Sequence, residues 1–175
     1  MYDNLIELMT NLSKEIGGYY FQNEDLGQFG VIKENVVFLY RFPSRDHIAA
    51  FSIMMAIPDL PAVEIYMDRP NIINIEKPYY KDETFDLTIH NNKQHGKALA
   101  DFLLSDYQFM TNFKRLFKKD YKIVLKNKTI SIYDNRNING LLSDEVKVED
   151  LLQMYNVLNE LQLSIRYFVK KYNPL

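Results

Sequence analysis

Apolar residues recur along this chain at two spacings, and the switches between them lay out its elements. Over residues 3–16, Leu5, Met9, Leu12 and Ile16 fall three or four apart, which predicts a helix; Gly17-Gly18 supplies the permissive backbone for its end. Aromatic and β-branched runs follow at Tyr19–Gln22, Phe29–Lys33, Val36–Phe42, Ile48–Ile57 and Val63–Met67. Between them stand turn-forming clusters: Asn23-Glu24-Asp25, Glu34-Asn35, Pro43-Ser44-Arg45-Asp46 and Pro58-Asp59-Leu60-Pro61. The pattern predicts a run of strands, and such short connections suit an antiparallel meander better than parallel crossovers.

Residues 68–84, punctuated by Pro70 and Pro78, read as an irregular connector and a candidate subdomain boundary. Beyond it, Phe85-Asp86-Leu87-Thr88-Ile89-His90 alternates strictly between apolar and polar, as a half-buried strand does. Residues 96–118 read as helical, with capping-box spacing at Ser105-Asp106-Tyr107-Gln108 that predicts a restart at an angle. Tyr121–Leu125 and Thr129–Tyr133 predict a hairpin across Asn127-Lys128, and Asp134–Gly140 a polar loop. From Val148 to Tyr172, the residues Leu151, Met154, Leu158, Leu161, Ile165, Phe168 and Tyr172 alternate spacings of three and four. A helix over that span would be about 37 Å long. Leu152, Tyr155, Leu163 and Val169 widen its stripe beyond a coiled-coil seam, so it is expected to lie on a sheet.

The expected fold class is α+β: an antiparallel sheet, meander plus C-terminal hairpin, with N-terminal, central and long C-terminal helices packed on one face. Neither side of the 68–84 connector looks large enough to need its own core, so residues 1–175 are expected to form a single domain. Phe85-Asp86, Leu103-Leu104-Ser105, Tyr121–Tyr133 and Leu151–Tyr172 form a series of strand, helix, hairpin and long helix. In that order they resemble a group of uncharacterised bacterial α+β proteins. The resemblance covers the C-terminal half; it implies the fold and carries no activity.

Composition narrows the chemistry. A chain of 175 residues that is 47% hydrophobic and 25% charged is ordinary globular material, large enough to fold without staples. It contains no cysteine, which excludes disulfides, thiolate metal sites and cysteine nucleophiles. The net charge of −2 gives no overall attraction to nucleic acid or to an anionic membrane. Met1–Glu7 lack a basic start and an apolar run, so no secretory leader is expected and the cytoplasm is the expected compartment. The longest apolar stretch, Ile48–Ile57, is too short to cross a bilayer.

Three groups of residues are candidates for chemistry. Asp82, Glu83 and Asp86 could supply a pair of carboxylates in unlike environments, as general acid–base hydrolysis requires. Capping and solvation explain this group as well, and also Asp144, Glu145, Glu149 and Asp150, which sit at a helix start. His90 and His95, with Asp86, are the nearest approach to a metal site, and loop histidines explain them as well. His47 stands apart. The basic run Lys114, Arg115, Lys118, Lys119 and Lys122, continued by Lys126 and Lys128 and interleaved with Phe113, Phe117 and Tyr121, is a candidate interaction surface. Cations at a helix C-terminus and aromatics at core spacing account for it without nucleic acid.

No Gly-rich phosphate loop or nucleophile elbow occurs; Gly27-Gln28-Phe29-Gly30 reads as a hairpin turn. The expectation is a non-enzymatic intracellular interaction protein, of the kind that serves as a bacterial accessory or toxin-immunity factor. It needs no cofactor or metal, its partner is another protein, and it is itself a monomer or weak homodimer. The alternatives are a carrier of a small apolar ligand and a hydrolase using Asp82, Glu83 or Asp86.

Overall fold

The alternating strands are gathered into one nine-stranded antiparallel sheet in the computed structural model, which describes residues 3–41, 50–70, 77–117, 121–134 and 146–172. In chain order the elements are α1 (Asp3–Ile16), β1 (Tyr19–Asn23), β2 (Gln28–Lys33), β3 (Val36–Arg41), β4 (Ala50–Ala56), β5 (Glu64–Asp68) and β6 (Tyr80–Lys81). They continue with β7 (Asp86–Asn91), α2 (Lys93–Ser105), α3 (Tyr107–Phe117), β8 (Tyr121–Lys126), β9 (Thr129–Asp134) and α4 (Val148–Tyr172). The α+β class holds, with the N-terminal, central and long C-terminal helices all present.

The strand order is β1-β2-β3-β4-β9-β8-β5-β7-β6. The meander therefore runs only from β1 to β4. The β8–β9 hairpin enters beside β4, through pairs such as Ile53 with Ile132, and displaces β5 to its far side. Strand β5 then pairs with β7, from beyond the connector. The connector itself contributes β6, whose residues pair with Leu87 and Asp86.

Local chemistry explains the joints. Helix α1 ends where Gly17 takes φ 64° and the Gly18 N–H donates to the Ser13 carbonyl, closing the last turn as a left-handed cap does. Asn127 and Lys128, both at positive φ, make the two-residue turn between β8 and β9. The break between α2 and α3 falls where expected, but its cap is one residue later. The Asp106 carboxylate accepts the Phe109 N–H at 2.9 Å, while the Ser105 hydroxyl donates back to the Phe102 carbonyl.

One face of the sheet carries the core. Phe29, Val31, Phe38, Tyr40, Phe51, Ile53, Ile132 and Ile123 are buried there. Leu5, Met9 and Leu12 of α1, Leu99 and Leu103 of α2, Phe113 of α3 and Leu158, Leu161 and Ile165 of α4 join the same cluster. Helix α4 lies over β4 and β9, with α1 on one side and α2 and α3 on the other. Its buried stripe runs from Leu151 to Phe168, whereas Leu163 and Tyr172 remain exposed.

Candidate functional site

The opposite face of the same sheet is the candidate site. Side chains alternate along each strand, so every second residue points away from the four helices. The registers align Tyr19, Ile32, Val37, Met54, Ser131, Val124, Tyr66 and Thr88 into one row across eight strands. Phe21, Gly30, Leu39, Ser52, Tyr133 and Lys122 form the row beside it. Ile32 is 41% exposed, Val37, Met54, Val124 and Tyr133 are half-buried, and Leu39 and Ser131 are buried. None of these apolar side chains belongs to the helix-covered core. The Phe21 ring lies over Gly30, where a Cβ would sit 2.4 Å from it, so glycine is what lets the aromatic flatten onto this face.

At the β8–β5–β7 end the face turns polar. The Glu64 carboxylate accepts from the Tyr66 hydroxyl and the Lys126 ammonium, each at 2.6 Å. His90 meets the Tyr66 ring edge-on at 4.7 Å, and the Lys122 ammonium lies 5.3 Å from that ring's centre and 3.6 Å from the Asp68 carboxylate. The Lys126 hydrogen bond, aided by the Tyr66 hydroxyl, holds the Glu64 carboxyl below its ordinary range. The same bonds push Lys126 and Tyr66 up. At neutral pH the cluster is thus a set of matched charges and hydrogen bonds.

The sequence candidates are scattered by the fold. Asp82 is committed to its own loop: one oxygen accepts the N–H groups of Thr84 and Phe85, and the other meets the Tyr80 hydroxyl and the Lys114 ammonium, the latter at 2.6 Å. Burial works to raise this carboxyl, but the Lys114 bond and the other donors outweigh it and hold it at about 2. A group so acidic is a poor proton acceptor at neutral pH. Glu83 is exposed, and Asp86 is buried opposite Asp68 and Lys81. His90 projects from the open face. His95 stands in the first turn of α2, its Nδ1 3.0 Å from the Asn92 side-chain oxygen. Among the described residues no three His, Cys, Asp or Glu side chains gather as metal ligands.

The basic run is divided as well. Lys114 is paired with Asp82, and Arg115 is exposed on the same helix. Lys122 lies on the other side of the sheet, beside Tyr133. Lys118 and Lys119 lie outside the described residues, as do His47, Asp144 and Glu145. Asp150 is buried and accepts the Lys147 N–H at the start of α4, a capping role.

Clefts border α4, and two of them differ in character. One, of about 190 Å³, is lined by Pro61, His95, Phe168 and Tyr172; the other, of about 500 Å³, is polar and bordered by Asn35, Asn159 and Arg166. The first is smaller than the roughly 300–1,000 Å³ of typical small-molecule sites. The open sheet face was missed in the sequence, although Val36–Tyr40, apolar at both even and odd positions, carried the signal for a strand with two apolar faces. No helix among the described residues is long and apolar enough to cross a membrane. Comparison with protein-family models, with curated proteins and with solved structures finds no match.

Proposed function

We propose that this chain is a non-catalytic binding protein that receives a partner protein on the open face of its sheet. One observation carries the reading: the row Ile32, Val37, Met54 and Val124 is apolar on the side of the sheet that the four helices leave alone. The solvent side of an antiparallel sheet is ordinarily polar, and contiguous apolar surface is characteristic of interaction sites. The partner has matching chemistry, an apolar centre over that row and hydrogen-bonding groups over Glu64, Tyr66 and Lys126. The role we infer is that of a bacterial accessory or toxin-immunity factor in the cytoplasm, a reading supported by an ordinary globular composition without a catalytic motif and by an N-terminal segment without a basic start or apolar run.

Oxidative footprinting of the complex with a partner captured from the native host tests this. Met54, Tyr66 and Tyr133 should be shielded, while Tyr167 and Tyr172 on the outer side of α4 stay as reactive as in the free protein. Shielding of the α4 tyrosines alone would overturn the assignment. A small apolar molecule carried through purification, seen by native mass spectrometry, would favour a carrier instead.

A further inference from the structure

The two edges of the sheet are built differently. Strand β6 is two residues long, follows Pro78 closely and carries Lys81, all features that discourage a further strand. Strand β1 is five residues, Tyr-Tyr-Phe-Gln-Asn, with neither charge nor proline, and Tyr19 is 81% exposed. Among the described residues no strand pairs with its outer side.

The geometry points to β1 as a self-pairing edge: two copies of this chain join β1 to β1, antiparallel about a two-fold axis centred on Phe21. In that register Phe21 faces its own copy, Tyr20 faces Gln22 of the second copy, and Tyr19 faces Asn23 of the second copy. No charge opposes a like charge. The next positions outward bring Glu24 and Asp25 of one copy to Gly18 and Gly17 of the other. There the Lys33 ammonium lies 3.4 Å from the Gly17 carbonyl and 3.9 Å from the carboxylate of its own Glu34, so a second carboxylate reaches a cation, twice by symmetry. Because the β6 edge is blunted, the assembly closes at two copies instead of growing into a fibre. The strand pair is small beside a standard interface, which makes the dimer weak and concentration-dependent. Tyr19 and Phe21 end the two rows of the open face, but the residues that carry the partner reading, Ile32, Val37, Met54 and Val124, take no part in the strand pair.

Sedimentation velocity across about two decades of protein concentration tests the proposal, since dimerisation follows mass action. Two double variants fix the register. Tyr19→Glu with Asn23→Asp places like charges opposite each other, and Tyr19→Lys with Asn23→Asp places opposite charges there. Both retain an acceptor for the Leu26 N–H that Asn23 now holds. The unaltered chain should shift from monomer to dimer, the Glu/Asp variant should dimerise about tenfold or more weakly, and the Lys/Asp variant should recover. Hydrogen exchange of the unaltered chain supplies a second readout: β1 amides gain protection as concentration rises and those of β6 do not. A chain that stays monomeric throughout, or three proteins that associate alike, would overturn the proposal.

Discussion

Ile53 and Met54 are neighbours on β4, and their surroundings have nothing in common. Ile53 is fully buried in the cluster that α4 completes, with Ile132 and Phe38 as its cross-strand neighbours. Met54 points the other way, half-buried between Val37 and Ser131, on a face that none of the four helices touches. The packing of helices onto the sheet accounts for one set of apolar residues and not for the other. The sheet thus carries apolar residues on both faces, and among the described residues the helices cover one of them; the proposed partner surface is the other.

The largest expected effect separates the faces by stability. Ile53→Ala should cost about 2–5 kcal/mol, the usual range for truncating a filled core position. Met54→Ala should cost less than about 1 kcal/mol, as partly exposed positions do. Urea denaturation of both variants measures the contrast, and equal losses would mean that both faces are packed. Leu158→Ala belongs with Ile53→Ala, because Leu158 is fully buried in α4.

Acid should act through the helix-covered side. The Asp82 carboxyl sits at about 2 in the folded chain against an ordinary 3.8. A depressed carboxyl stabilises the fold above its unfolded value and loses that contribution as pH falls through its folded one. The difference is worth about 2 kcal/mol, present above about pH 4 and lost towards pH 2. Asp82→Asn should therefore lower stability at neutral pH and flatten the acid limb across that window. A variant with an unchanged acid limb would remove Asp82 from the account.

The polar end of the open face should give the smallest effect. Glu64→Gln should leave the fold's stability nearly unchanged, because exposed ion pairs contribute little. It should also return Tyr66 ionisation towards its ordinary range, since the bond to Glu64 is what raises it. NMR titration of ring-labelled tyrosines, with the Tyr66 signal assigned by its loss in Tyr66→Phe, reads this among the thirteen tyrosines, and a Tyr66 that titrates as before would show that the Glu64 bond does not form.

Much of this architecture was legible as spacing. The ends of α1 and α4, the β8–β9 hairpin and the break before α3 follow from periodicity, glycine and capping residues, which act between near neighbours. The position of β5 was not, because alternation fixes which residues share a face and is silent about which strand lies alongside. Strand β6 was hidden by its length, two residues held by partners in β7. The charge run ending at Lys122 looked like one surface, yet strand alternation sends Lys122 to the side away from Lys114. A run of like residues becomes a patch only where the backbone keeps it on one side.

The reserve surface can be tested with paired substitutions. Val37→Lys with Met54→Glu places opposite charges at two facing, half-buried positions of the open face, where each charge has its partner across the strand pair, and circular dichroism confirms that the variant is folded. Leu163→Lys with Tyr167→Glu makes an equivalent change on the exposed side of α4. Binding of the purified host partner, measured by titration calorimetry, should be lost in the first variant and kept in the second. Loss in the α4 variant with full binding by the sheet variant would contradict the account and move the partner site to the helices.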